Sequence, residues 1–408
     1  MIAKLTSALL KGDVTPPPSK SQAHRVVIAA ALAKGESHIT PLSLSMDIKA
    51  TLGAVTTLGA SYDPERETVT GMGGCLFPKD GQYKINCEES GSTLRFMIPI
   101  SLAVAGGAVF SGKGRLMQRP QEPYFNIFRE KGIFYQQEGD TLTVRGELQS
   151  GVYRLPGDVS SQFVTGLLFA LPLLSGDSEI EITTPLQSQD YVAMTLEVLE
   201  GFGIQVWQEE MQHFWIKGRQ HYQATSWEVE ADASQAAFFA TARALHHPVT
   251  ILGLDPESKQ GDKVIFPILR QMQGKGIQAI DVSQCPDLVP AIALAAALRE
   301  GETTFLSNAA RLRAKESDRL AAVTRQLNAL GAQIKEGPDF LEIVGVNCLQ
   351  GGEVDSENDH RIAMMLAIAA TVSQGDVILH GGESVQKSYP DFWSEYERLG
   401  GKMLVLEP

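Results

Sequence analysis

Residues 130–135 read EKGIFY, and the same layout recurs five more times: TLGASY (57–62), GFGIQV (201–206), GKGIQA (274–279), ALGAQI (329–334) and RLGGKM (398–403). Each segment follows a helical pattern and leads into a short apolar run. The aligned glycines are Gly59, Gly132, Gly203, Gly276, Gly331 and Gly400, at spacings of 73, 71, 73, 55 and 69. Glycine is what the end of a helix needs where the chain turns left-handed into a strand. Upstream of each glycine lies a β-branched alternating run (ESHITPL, GAVFSG, DSEIEIT, PVTILGL, ETTFLSN, DVILHGG), the mark of a half-buried strand. Before each of those comes an Ala-rich helix apolar on nearly every side: VVIAAALA, FMIPISLAVA, FVTGLLFALPLL, AAFFATARAL, LVPAIALAAAL and IAMMLAIAA. Helices of that kind are buried all round. The repeating unit is therefore helix–strand–helix–strand with extra β pairing, about 70 residues long, written six times.

The residues that start the buried helices carry a second pattern. In order they are SKSQAHR (19–25), SGSTLR (90–95), SSQF (160–163), DASQ (232–235), PDLV (286–289) and NDHR (358–361). Ser, Asp and Asn are ordinary N-caps, worth about 1 kcal/mol each. Capping does not explain Lys20, Arg25, Arg95 and Arg361 beside them, because a cation at a helix N-terminus opposes the macrodipole. An external anion held between the cation and the free N–H groups removes the conflict. The outer helix of each repeat also opens on a polar segment: SMDIK, RLMQRP, SQDY, SKQGDK, RAKESDR and VQKSYP. In RLRAKESDR (311–319), Lys315 and Arg319 stand four apart and are expected on one helix face, with Leu320, Val323, Leu327 and Leu330 as the buried stripe below. Spacing alone favours an exposed, salt-bridged face there; membership in a set of six helix starts, five of them cationic, favours an anion site.

Bulk composition narrows the partners. The chain has 408 residues, 43% of them apolar, and a formal charge of −13, which argues against broad binding to nucleic acid or anionic lipid. Cys75, Cys87, Cys285 and Cys348 are scattered without a CxxC or Cys/His cluster, so a reducing compartment and no zinc site are expected. The start, MIAKLTSALLKGD, lacks the apolar core of a signal peptide, and FVTGLLFALPLL (163–174) is too short to span a bilayer. A soluble, cytoplasmic protein is expected.

The motifs PPSKSQAHR, SGSTLR, RLMQRP, SSQF, EADAS, SKQGD, CPDLVPAIA, RAKESDRL, NDHR and QKSYPDF resemble the enolpyruvyl transferases over essentially the whole chain, and most closely the branch whose acceptor is shikimate 3-phosphate. The resemblance implies an α/β (α+β) fold of two similar domains, each of three βαβαββ repeats with buried helices (an inverse α/β barrel), and a ligand cleft between them. The domains expected are residues 19–230, and residues 1–18 with 231–408. The implied reaction moves the enolpyruvyl group of phosphoenolpyruvate to the 5-hydroxyl of shikimate 3-phosphate and releases phosphate, on the route to chorismate and the aromatic amino acids. No cofactor and no metal are implied, the working form is a monomer, and the herbicide glyphosate is an expected ligand.

By matching motif, the resemblance assigns Lys20, Ser21, Arg25, Ser160, Ser161, Gln162, Ser188, Asp287 and Lys315 to shikimate 3-phosphate, with Tyr191 nearby. It assigns Lys20, Gly91, Arg119, Gln162, Arg319, Arg361 and Lys387 to phosphoenolpyruvate. Asp287 matches the proton acceptor; Glu316 and Lys315 are the first candidates for proton transfer at the methyl carbon, ahead of Lys20 and His360. The chain departs from the pattern at Pro18 (usually Gly), Glu89 (usually Asn) and Arg311 (usually Asn). Two alternatives stand beside this reading. One is transfer to UDP-N-acetylglucosamine, whose enzymes have Asn where this chain has Ser21 and a Cys in the loop that here reads SGKGRLMQRP. The other is a non-catalytic repeat scaffold, which leaves the arginines unexplained.

Overall fold

The computed structural model describes residues 1–73 and 82–407, so the reading of Cys75 lies outside the described residues. Cys87, Cys285 and Cys348 are free thiols. The chain divides into two compact units, one made of Met1–Pro17 with Glu230–Pro408 and the other of Pro18–Val229.

Twelve α-helices run along the described residues: α1 Lys20–Leu32, α2 Met46–Thr57, α3 Gly91–Ala105, α4 Glu122–Lys131, α5 Ser161–Ala170, α6 Gln189–Gly201, α7 Ala233–Ala244, α8 Ile265–Gln271, α9 Val289–Ala297, α10 Arg319–Ala329, α11 His360–Thr371 and α12 Phe392–Arg398. They alternate in character. The odd-numbered helices are the Ala-rich ones, and nearly every residue of each is buried. The even-numbered helices bury one stripe: α4 through Pro123, Tyr124, Ile127 and Phe128, and α10 through Leu320, Val323 and Leu327 among others. All six repeat glycines follow an even-numbered helix with φ between 68° and 102°, as the sequence pattern requires.

The sheets show what one repeat is. In the second repeat of the Pro18–Val229 unit, Lys84–Asn86 runs parallel to Gly107–Ser111 with α3 as the crossover. After α4, the hairpin Phe134–Glu138/Thr141–Arg145 returns, and Thr141–Arg145 pairs antiparallel with Gly107–Ser111. Strand order is thus first, second, fourth, third, and five four-stranded sheets share it. The sixth sheet has two strands only, Gly12–Val14 and Val249–Ile251. It belongs to the repeat that ends at Gly276, after which the chain enters Gln278–Asp281 of the next sheet directly. The one short glycine spacing, 55, is this missing hairpin.

Besides the two-stranded sheet, which takes Gly12–Val14 from far upstream, two sheets borrow strands from distant sequence. Ile2–Thr6 serves as the fourth strand of the last repeat, between Val377–His380 and Lys402–Glu407. Ser226–Glu228 serves as the first strand of the first repeat, parallel to Lys34–Thr40. Each unit closes around its own core. Val26, Ile28, Phe96, Ile98, Phe163 and Leu167 are at or near zero exposure in one, as are Phe239, Ile292, Leu294, Met365 and Leu366 in the other. A buried Leu, Ile, Val or Phe is worth about 1.5–3 kcal/mol. The odd helices therefore have little rotational freedom, and the side chains at their starts are aimed by the core beneath.

Candidate active site

In the Pro18–Val229 unit, the candidate residues stand at the starts of α1, α3, α5 and α6. Ser19 caps α1, its hydroxyl accepting from the Gln22 N–H, and Lys20 is the first helical residue. The counter-ion for Lys20 is a residue the sequence reading passed over: Asp47, in the first turn of α2, accepts from Lys20 Nζ at 2.7 Å. An acid at that point also suits the dipole of α2. The sequence signal for Asp47 was its place in SMDIK, at an outer-helix start.

Arg25 is 2% exposed. Its Nε donates to Thr195 Oγ1 (2.8 Å), and its two Nη atoms donate to the Ser21 (2.6 Å) and Tyr191 (2.9 Å) carbonyls. The guanidinium also lies over the rings of Phe96 and Tyr191. These contacts are dipolar or aromatic, and burial lowers the Arg25 pKa to about 10, with Tyr191 opposing the shift. Such a cation gains from any anion that reaches it.

Gly91 opens α3 and leaves room for a neighbour: a Cβ there would lie 2.7 Å from Arg119 Nη1. Arg95, one turn on, donates to Gln162 Oε1 (2.8 Å) and to the Pro120 carbonyl (3.0 Å). It thus ties the start of α5 to the loop that carries Arg119. Gln162 Nε2 donates in turn to Ser92 Oγ (3.0 Å). Ser160 caps α5 and Ser161 is buried behind it. Ser188, at the start of α6, is buried with φ 56°, a left-handed conformation that costs a non-glycine residue energy. Glu89 turns towards the loop after Gly107–Ser111, since a Cβ on Gly114 would meet its Oε2 at 2.5 Å. Its negative charge helps raise the pKa of Lys113, after the larger effect of Glu88, which pairs with Lys113 at 2.7 Å.

The other unit carries a tighter cluster at the starts of α9, α10 and α11. Asp287 lies in the 3-10 turn ahead of α9. Its Oδ1 accepts from Lys315 Nζ (3.1 Å) and Arg319 Nη1 (2.8 Å), and its Oδ2 from Arg361 Nη2 (3.2 Å). Arg319 is 1% exposed and grips two further carboxylates: Asp359, through Nε at 2.9 Å, and Glu316, through Nη2 at 2.7 Å. Asp359 caps α11, has no exposure, and accepts from Ser317 Oγ (3.0 Å) as well. Lys387 is buried and donates to the Asn358 carbonyl (2.6 Å); Arg311 donates to the Ser283 carbonyl (2.6 Å).

RLRAKESDR is here not one helical face. Residues 310–314 form a 3-10 turn, Lys315 is extended, and α10 begins only at Arg319, capped by Asp318. Lys315 and Arg319 meet through Asp287 instead of along a helix. The bonds that Asp287 and Asp359 make to Lys315, Ser317 and Arg319 come from 28 to 42 residues away in sequence. A local pattern could not show them.

The electrostatics follow from one carboxylate shared among three cations. Burial alone would raise the Asp287 pKa, but Arg361, Lys315 and Arg319 together outweigh it and hold the carboxyl well below the usual range. Lys315 gains less from the partnership: burial lowers its pKa, Asp287 opposes, and Arg319 and Arg311 push it down again. Arg319 is driven the other way; burial disfavours its charge, yet Asp359, Glu316 and Asp287 more than compensate. The cluster can grip an anion, hold a base and release a proton from an ammonium, all within hydrogen-bond reach. Among the described residues, one group offers metal-type ligands, Glu179, Glu181 and His213, on paired strands elsewhere; Glu181 there is bound to Arg154 and Glu179 to His213.

Six repeats, with buried arginines (Arg25, Arg95, Arg319 and Arg361) near the starts of α1, α3, α10 and α11 and acid and base groups among them, fit the class of the enolpyruvyl transferases. The model of the EPSP synthase (3-phosphoshikimate 1-carboxyvinyltransferase) family matches residues 5–396. A 3-phosphoshikimate 1-carboxyvinyltransferase of Clostridium acetobutylicum is 48% identical, over 98% of this chain and 97% of its own length. One from Clostridium perfringens is 45% identical, over 97% and 98%. The solved EPSP synthase of Acinetobacter baumannii superposes with a TM-score of 0.78 at 26% identity, covering 99% of this chain and all of that one. The chain belongs to the EPSP synthase family. No described helix is long and apolar enough to cross a membrane.

Proposed function

We propose that this chain transfers the enolpyruvyl group of phosphoenolpyruvate to the 5-hydroxyl of shikimate 3-phosphate, releasing phosphate. The observation that carries the residue assignment is the convergence of Lys315, Arg319 and Arg361 on Asp287. Both substrates are polyanions, and the reaction needs a proton placed on a methylene carbon and another removed from a hydroxyl.

Shikimate 3-phosphate is held at the starts of α1, α5 and α6 by Lys20, Ser21, Arg25, Ser160, Ser161, Gln162 and Ser188. Phosphoenolpyruvate is held by Lys20, Gln162, Arg119, Arg361 and Lys387, with Gly91 allowing close approach. Arg319 differs from the expectation in manner: its donors already hold Asp359, Asp287 and Glu316, so it acts on substrate chiefly by aiming those carboxylates. In the array described, Asp287 is a weak base. When an anionic substrate offsets Arg361 and Lys315, its pKa rises and it can take the 5-hydroxyl proton. Lys315, whose burial eases proton release, delivers a proton to the methylene carbon; Glu316 beside it takes one back as phosphate leaves the tetrahedral adduct. Addition and elimination of this kind need positioned acids, bases and cations, so the reading includes no cofactor. The working unit in this reading is one chain, in the cytoplasm.

A phosphate-release assay with either acceptor tests the reading. Release that requires both phosphoenolpyruvate and shikimate 3-phosphate supports it. Release with UDP-N-acetylglucosamine instead, or none with either, refutes it.

A further inference from the structure

The Pro18–Val229 unit contains a buried polar circuit, three of whose members, His24, Thr51 and Thr93, have no part in the reaction as proposed. His24 is fully buried on α1, and its Nδ1 lies 2.7 Å from Thr51 Oγ1 on α2. Thr51 Oγ1 lies 2.7 Å from Thr93 Oγ1 on α3, and Thr93 Oγ1 donates to Ser90 Oγ, the α3 cap, at 2.8 Å. From α3, Arg95 and Ser92 bond Gln162 on α5. On α5, Thr165 bonds Thr195 of α6 at 3.0 Å, and Thr195 accepts from Arg25, the residue after His24. Five helices are thus joined into a closed ring, α1–α2–α3–α5–α6 and back to α1. We propose that His24, Thr51 and Thr93 are positioning residues, which fix the start of α3, with Gly91, in register with the Lys20 and Arg25 grip on α1. This rests on the function proposed above.

The direction of the protons follows from counting them. Thr93 gives its one hydroxyl proton to Ser90, so it must accept from Thr51. Thr51 then has no proton left for His24 and must accept from it. His24 is therefore neutral and carries its proton on Nδ1. Nε2, left as the bare acceptor, has no hydrogen-bond partner among the described residues, and a second proton there would be a buried charge with nothing to meet it. Burial, then Lys20 and Arg25, also disfavour the charged form.

A hydrophobic residue at 51 would fill the space but could not relay position. It would leave Thr93 and His24 each short of a partner inside the core, whereas a bare packing role would tolerate it. The ring would still hold α1 to α6 through Arg25 and Thr195. Damage should therefore fall on the α3 side, where Gly91 meets Arg119.

The experiment pairs kinetics with histidine NMR on the full chain. Thr51→Val is expected to raise the KM for phosphoenolpyruvate about tenfold and the KM for shikimate 3-phosphate less, about tenfold being 1.4 kcal/mol. Thr51→Ser, which restores the hydroxyl, should return both to within about twofold. Val104→Ala, a buried change at the far end of α3, provides a comparable loss of Tm and should move neither KM. Unchanged KM values in Thr51→Val, failure of the serine to rescue, or equal damage from Val104→Ala overturns the proposal. The 15N shifts of His24 test the ring without any turnover: the Nδ1–H tautomer, untitrated from pH 8 to 6, is expected, and an Nε2–H tautomer refutes the circuit. If the wild-type protein fails to release phosphate while His24 shows the Nδ1–H form, the functional reading has failed and the ring has not.

Discussion

Replacing Arg25 with methionine should separate stability from function. Its pKa falls from the ordinary 12.5 to about 10 because the guanidinium is buried. At about 1.4 kcal/mol per unit, that shift corresponds to roughly 3 kcal/mol of unfavourable charge burial. Removing the head group relieves that. The acceptors it leaves keep other donors: the Tyr191 carbonyl still receives Thr195 Oγ1 at 2.9 Å, the Ser21 carbonyl has its place in the α1 ladder, and Thr195 keeps Thr165. A small void offsets part of the gain, about 1–2 kcal/mol for the atoms lost. Arg25→Met should thus change the unfolding free energy by less than about 2 kcal/mol, in either direction. The lost charge-assisted contact to the shikimate phosphate is worth about 1.5–3 kcal/mol, a rise in KM for that substrate of about ten- to a hundredfold. Urea unfolding and steady-state phosphate release measure the two effects. A much larger loss of stability with an unchanged KM for shikimate 3-phosphate would show that Arg25 is a structural residue and refute the reasoning.

Three other substitutions follow from local geometry. Gly91→Ala places a methyl 2.7 Å from Arg119 Nη1, so the KM for phosphoenolpyruvate should rise about tenfold while that for shikimate 3-phosphate stays within about threefold; steady-state kinetics decide. Ser188→Gly should relieve the φ of 56° and stabilise the fold by about 1 kcal/mol in urea unfolding, yet weaken shikimate 3-phosphate binding through loss of the hydroxyl. His247 accepts the Leu10 N–H on Nδ1 (3.1 Å) and faces Thr371 Oγ1 with Nε2 (2.9 Å), and burial, then His246, lowers its pKa from 6.5. Below about pH 6.5 the unfolded chain takes up a proton that the folded one refuses, so the contribution is intact above that pH and is lost as pH falls, by up to about 1.4 kcal/mol per unit. His247→Gln should flatten the stability curve between pH 6.5 and 5.5, and a slope equal to wild type counts against the assignment.

Sequence reached the architecture because its punctuation is local. Gly59, Gly132, Gly203, Gly276, Gly331 and Gly400 mark turns that only a left-handed residue makes easily, and all six have positive φ. The all-round apolar helices announced their own burial. The short spacing before Gly331 was visible as a number, but its cause, a lost hairpin, appears only when strands are paired. The candidate site was legible as a list of cations and not as an electrostatic arrangement. Asp47, Asp359 and Asp287 neutralise Lys20, Arg319 and Arg361 across long stretches of chain, so cations read from sequence have built-in counter-ions. Lys315 and Arg319 looked like an i, i+4 pair because spacing is all that a sequence offers; the 3-10 turn ahead of them breaks that face. At Glu89, the sequence shows only a departure from the usual Asn; that its carboxylate faces the Lys113–Gly114 segment appears only in the fold.

Phosphorus NMR of a single mixture tests the central claim most directly. With the protein, shikimate 3-phosphate and phosphoenolpyruvate together, the phosphoenolpyruvate signal should give way to inorganic phosphate in equal amount, while the sugar phosphate shifts slightly and stays esterified to the new enol ether. Omitting either substrate should leave all signals unchanged. Phosphate released from shikimate 3-phosphate, or from phosphoenolpyruvate without it, would contradict enolpyruvyl transfer.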